Sequence, residues 1–151
     1  MPRRAIDLRN LADPIELQKL REYLTDLYGY VALKVTEGMV ETTDATVTTL
    51  LTIPLEDGKT VQIVAEVVAR RTGGASGTSG DGASYRILGA FRRVSAGSAT
   101  LIGSVTADHT AESQGAWDAT LTASGNDVLL QVTGASGNNV SWGCQVTVQA
   151  I

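Results

Sequence analysis

The sequence predicts a mainly β protein: a short N-terminal coiled-coil-like helix followed by an antiparallel β-sandwich, of which a jelly roll is one form. Three observations predict it. From residue 46 onward apolar residues recur at period 2, the mark of strands with one wet face. These runs are punctuated by stretches rich in Gly, Ser, Asn and Asp, as the turns of a two-sheet protein are. Residues 13–31 alone follow another period, with apolar residues three and four apart. The 151 residues suffice for one good core, or for one core and an appendage. The division drawn from the pattern is 1–38, an attachment segment and helix, and 39–151, a β domain.

In the first segment Asp13 is the N-cap, and Pro14 occupies the first helical position, where its missing N–H costs nothing. Glu16 completes a capping box, and Gly29 is a stop. Leu17, Leu20, Leu24, Leu27 and Val31 form an a/d seam. A helix of about 15 residues is marginal alone in water, so the seam must pack on something. Its narrowness favours identical subunits over the chain's own sheet. The expectation is a homo-oligomer, with a trimer as first guess.

The strands follow in order. Val47, Leu51, Ile53 and Leu55 mark the first, over 46–55, although Leu50 breaks the alternation. Glu56-Asp57-Gly58-Lys59 reads as a tight hairpin. Val61, Ile63, Ala65, Val67 and Ala69 mark one face of 60–71. Residues 72–84 are a flexible loop by composition. Tyr85, Ile87, Gly89 and Phe91 point inward from 84–95, and Ala96-Gly97-Ser98 turns the chain. Leu101, Gly103 and Val105 continue the pattern over 99–106, with a polar loop at 107–116. Trp117, Ala119, Leu121 and Ala123 mark 116–123, and Val128, Leu130 and Val132 mark 127–133. After a polar loop at 134–139, Val140, Trp142, Cys144, Val146 and Val148 alternate over 140–149. An eighth strand is placed near 32–42.

Composition excludes several functions. Residues 1–38 hold six basic and six acidic groups, and 39–151 hold six and ten, so the net charge of −4 sits on the β part. A nucleic-acid partner needs a basic stripe, and an anionic membrane needs a polybasic patch. Neither partner is expected, and no run approaches the ~20 apolar residues of a membrane span. The basic N-terminus has no apolar run behind it, so no secretory signal is read. One cysteine permits no intramolecular disulfide, and with His109 the single histidine, a metal site built from His and Cys has too few ligands. No cofactor is expected.

Catalytic candidates are thin. A Ser-His-acid site would have to use His109 beside Asp108, yet no Gly-x-Ser-x-Gly elbow is present. Paired carboxylates for glycoside cleavage would come from Asp108, Glu112 and Asp118, which read better as solvated surface acids. The Gly-rich stretch 73–82 lacks the Lys-Ser/Thr of a P-loop and a following helix. Arg70-Arg71 and Arg92-Arg93 are assigned to cross-strand pairs with acids such as Glu66. Trp117 is read as core rather than a sugar platform, and Cys144 as a buried structural thiol. No enzyme is expected.

Several stretches carry a resemblance: Val67-Val68-Ala69-Arg70-Arg71-Thr72-Gly73, Gly80-Asp81-Gly82-Ala83-Ser84-Tyr85, Phe91-Arg92-Arg93, Leu101-Ile102-Gly103-Ser104-Val105-Thr106-Ala107-Asp108, Trp117-Asp118-Ala119 and Gly137-Asn138-Asn139-Val140-Ser141-Trp142. From about residue 42 to its end the chain resembles a β domain found at the C-terminus of structural proteins of tailed bacteriophages: head fibres, capsid decoration proteins and tail-fibre-like proteins. The resemblance implies a virion protein made in a host cytoplasm, with no catalytic residues to carry over. The primary expectation is a head decoration protein or head fibre that binds the major capsid protein through Arg3, Arg4, Ile6 and Leu8. The β domain would project outward and adhere weakly to host-surface glycans. One alternative is a tail-fibre or tail-tip receptor-binding module, with recognition on the loops at 73–82, 107–116 and 134–139. The other is a glycan depolymerase.

Overall fold

Eight strands account for most of residues 32–151, the part of the chain that this computed structural model describes, and no helix occurs among them. The seam Leu17, Leu20, Leu24, Leu27 and Val31, and the attachment residues Arg3, Arg4, Ile6 and Leu8, lie outside the described residues. The strands are β1 Ala32–Thr42, β2 Val47–Pro54, β3 Thr60–Gly73, β4 Gly82–Arg93, β5 Ala99–Glu112, β6 Asp118–Ser124, β7 Asp127–Thr133 and β8 Asn139–Ala150. They form a five-stranded sheet in the order β1-β8-β3-β4-β5 and a three-stranded sheet in the order β2-β7-β6. The pairings β3–β4, β3–β8, β4–β5, β2–β7 and β6–β7 are all antiparallel.

The core is where the period-2 pattern puts it. Val61, Ile63, Ala65, Val67 and Ala69 of β3 are buried, as are Tyr85, Ile87 and Phe91 of β4. Val140, Trp142, Cys144 and Val146 complete the inner face of the larger sheet. Ala119 and Leu121, with Val128, Leu130 and Val132, supply the smaller one, and Trp117 joins them just ahead of β6. All belong to one apolar cluster drawn from both sheets. Trp142 stands at its centre, stacked on Tyr85 at 6.4 Å and met edge-on by Trp117 at 5.8 Å. Its indole N–H donates to Thr42 Oγ1 at 2.9 Å, a buried bond that fastens the end of β1. The strand placed near 32–42 is therefore β1, and it spans the position where the sequence pattern drew its division.

Three expectations are corrected. The turn at Glu56-Asp57-Gly58-Lys59 is tight, with Lys59 N–H donating to the Glu56 carbonyl at 3.3 Å, but it joins no hairpin. β2 and β3 lie in different sheets, so the chain crosses from one to the other there. Leu50 is the extra residue of a bulge: Thr49 pairs with Gln131 and Leu51 with Leu130, leaving Leu50 opposite no partner. The bulge shifts the phase, so Leu50 is buried, Leu51 only partly so, and Val47 is 57% exposed.

The third correction concerns β5, which runs to Glu112, so most of the loop assigned to 107–116 is strand. Leu101 faces inward opposite Phe91, yet is 41% exposed. β5 edges the wider sheet, and apart from Ala99 and half-buried Val105 its residues are exposed. A strand wet on both faces carries no alternation, and its polar sequence imitates a loop. Two register breaks with β4, near Asp108 and near Gly103 (φ +73°), bend this edge, a common way to discourage edge-to-edge pairing.

Candidate functional site

Three connections gather at one end of the β unit: 74–81 between β3 and β4, 113–117 between β5 and β6, and 134–138 between β7 and β8. These are the loops that the receptor-binding alternative singled out, trimmed at their edges by the strands. Direct hydrogen bonds join them. Ser76 N–H donates to the Gly137 carbonyl at 2.9 Å. Gln114 Nε2 donates to Asp81 Oδ2 at 2.7 Å. Ser113 N–H donates to the Gly82 carbonyl at 3.0 Å, and its Oγ accepts from Gly82 N–H at 3.2 Å.

The glycines of 74–81 therefore do not make a flexible loop, and the expectation from composition is corrected. Arg71 Nε donates to the Ser76 carbonyl at 2.8 Å and Nη2 to the Gly74 carbonyl at 2.7 Å. Asp81 Oδ2 accepts from Thr78 N–H at 2.7 Å as well as from Gln114. The bond from the Thr78 backbone, then that from Gln114, holds the Asp81 carboxyl below the usual carboxylate range. The glycines serve close approach: Gly74 (φ +97°) lies against the Gly137 carbonyl, where a Cβ would collide with it. Asn138 is buried beneath this contact, with Gly77 packed against its Oδ1.

The arginine pairs take a role that the sequence did not show. Arg71 and Arg93 sit at strand ends and bind loop carbonyls. Arg93 is the counterpart at the opposite end, donating to the Gly97 carbonyl at 2.9 Å and the Leu55 carbonyl at 3.0 Å. Arg70 and Arg92 point outward and are exposed. The cross-strand ion pair with Glu66 belongs instead to Arg86, 3.7 Å from Glu66 and 2.8 Å from Asp108. The signal for Arg71 was its position, immediately ahead of a Gly-rich run whose carbonyls need donors.

The acids separate. Asp108 pairs with Arg86 at a bulge of β5. His109 is exposed on the strand opposite Arg86 rather than in a loop. Glu112 reaches Tyr85, whose hydroxyl donates to Glu112 Oε2 at 2.7 Å. Burial first, then the Glu112 bond and the nearby charges of Glu112 and Asp118, push the phenol well above its ordinary range. Trp117 is 2% exposed and cannot stack on a sugar, and the other aromatic residues among those described, Tyr85, Phe91 and Trp142, are buried too. Cys144 is buried, and desolvation pushes its thiol up. The outer face of the larger sheet carries a shallow open depression of about 590 Å³, bordered by Met39, Glu66, Val68, Arg86 and His109. Among the described residues no group of three or more His, Cys, Asp or Glu side chains is arranged to hold a metal ion.

No protein-family model matches the chain, and no curated protein does. Solved structures do. The tailspike protein of Acinetobacter baumannii phage AM24 superposes with a TM-score of 0.52 at 9% identity, over 77% of this chain and 26% of that one. The β unit shares that fold. Tailspike gp49 of A. baumannii bacteriophage Fri1, a capsular polysaccharide depolymerase, gives 0.38 at 13% identity over 85% of this chain and 23% of its own. The tailspike of Acinetobacter phage vB_ApiP_P1 gives 0.30 at 14% identity over 79% and 22%. The chain thus spans about a quarter of the length of these three tailspikes.

Proposed function

We propose that this chain is a structural module of a tailed-phage virion, mounted on the tail, whose loop end meets the surface of the host cell. The observation that carries the reading is the loop end itself: three connections, far apart in sequence, wired by hydrogen bonds into one polar surface. Ser, Thr and Gly residues dominate it, offering hydroxyls and open backbone groups suited to adaptable hydrogen bonding. The shared fold with a tailspike supports the tail over the head mounting expected first. In this reading the two sheets form a sandwich, crossed by the chain between β1 and β2, β2 and β3, β5 and β6, and β7 and β8. The jelly-roll form is only partial, because β3, β4 and β5 follow one another within one sheet.

The ligand proposed is host-surface glycan, bound by hydrogen bonds to its hydroxyls and without turnover. Glu112 is already engaged by the Tyr85 hydroxyl. The copies are proposed to associate as a homotrimer through Leu17, Leu20, Leu24, Leu27 and Val31. Three measurements test the whole. Antibody labelling should mark tails and not tailless heads; labelled heads would return the head reading. The purified chain should bind at least one of a panel of capsular polysaccharides, Acinetobacter types among them, and release no reducing ends. Sedimentation should find a trimer that a Leu20→Asp/Leu24→Asp variant loses.

A further inference from the structure

The 74–81 loop touches both of its neighbours and is held by side chains at both of its own roots. Arg71, near the end of β3, spends two of its guanidinium donors on the carbonyls of Gly74 and Ser76. Its own N–H donates to the Asp81 carbonyl at 2.9 Å. Asp81, just ahead of β4, gathers Thr78 from within the loop and Gln114 from the 113–117 connection. The carbonyl of Ser76 is pinned by Arg71 while its N–H reaches Gly137 of the third loop. Between them the two roots therefore reach all three connections.

We propose that Arg71 and Asp81 are positioning residues that lock the three loops into a single binding-ready face, so that a partner meets a surface that needs no ordering. This rests on the recognition role given to the loop end above. The physical gain is that a preordered surface avoids the entropy of fixing loops at the moment of contact. Arginine suits the task because its planar fork reaches two carbonyls at once, whereas a lysine ammonium is a single point of charge. The glycines suit it because a side chain at 74 or 77 would strike Gly137 or Asn138.

The test uses the full chain and amide exchange followed residue by residue. Arg71→Met should speed exchange at Ser76, Thr78, Asp81 and Asn138 by about tenfold or more, the scale of losing one charged hydrogen bond. Exchange at Ile63 and Val146 in the core should stay as it was. Arg92→Met, at an exposed outward arginine, should change neither set. Arg71→Lys should restore little. On whichever capsular polysaccharide the unaltered chain binds, Arg71→Met should raise the dissociation rate severalfold at an unchanged urea midpoint, a split that a merely structural residue would not produce. Unchanged loop exchange in Arg71→Met overturns the proposal. If that variant loses core protection everywhere, Gln114→Ala decides instead: it removes only the link to Asp81, and should loosen 78–81 and 113–117 together. Independent behaviour of those two segments overturns the proposal. Should the unaltered chain bind no glycan while Arg71→Met still loosens the 74–81 and 134–138 loops, the lock stands and the recognition reading falls.

Discussion

The bond between Trp142 and Thr42 is the sharpest single test of how the core is held. The indole is 0% exposed and Thr42 is 4% exposed, so water replaces neither partner. The two residues are 100 positions apart and the donor–acceptor distance is 2.9 Å. Thr42→Val keeps the branched shape and removes only the acceptor. The indole N–H is then buried without a partner, a cost of about 1–3 kcal/mol. For a chain of this size the urea slope is about 1–3 kcal/mol/M, so the midpoint should fall by about 1 M with the slope unchanged. Fluorescence of the buried tryptophans follows the transition. A second background isolates the bond. In Trp142→Phe the donor is gone, and Thr42→Val should cost about 1 kcal/mol less there than in the unaltered chain. A cost within about 0.5 kcal/mol of zero, or the same cost in both backgrounds, would refute the assignment of β1 to this anchor.

Three further outcomes are expected. Gly89→Ala should destabilise by about 1–3 kcal/mol through overpacking, since the new Cβ would lie 2.7 Å from Phe91 Cε2 and 3.3 Å from Leu121 Cδ1, and thermal melting reads this directly. Gly74→Ala should leave the melting temperature close to that of the unaltered chain but free the 74–81 loop to limited proteolysis, because it combines a positive φ with a collision at Gly137. Stability should fall in alkali. Cys144 and Tyr85 ordinarily titrate near 9.0 and 10.0, and both are raised in the folded state. Above those values the unfolded chain has released protons that the folded chain retains, so each further pH unit favours unfolding by up to about 1.4 kcal/mol per group until the folded group titrates. Urea midpoints across pH 8 to 11, a span set by about those ordinary values, should decline, and Tyr85→Phe should flatten the upper part of that decline.

Much of the fold was legible because most strands bury one face and wet the other. The inward sets of β3, β4, β6, β7 and β8 follow directly from that alternation, and the turn at 96–98 from its Gly and Ser. The same logic failed where its premise failed. β5 overhangs a narrower sheet and is wet on both faces, so Ala107 to Glu112 looked like a loop. Leu50 looked like an irregularity because a bulge is one residue that belongs to neither phase. The loop end was legible only as three polar segments. That they meet depends on β3, β5 and β7 ending near one another, which no local pattern records.

The amino-acid sequence by itself determined where most of the strands run, which side of most of them is apolar, and that a single cysteine permits no intramolecular disulfide. These are local properties, set by the two-residue repeat of a pleated backbone and by the residue inventory. Only the tertiary structure decided that the 56–59 turn crosses between sheets, that Arg71 and Arg93 bind loop carbonyls (Arg93 also lying 3.9 Å from Asp57), and that Asp81 joins two connections. The physical reason is that strand pairing and loop contact satisfy backbone groups across long separations, and many partners fit a given local sequence equally well until the core chooses among them.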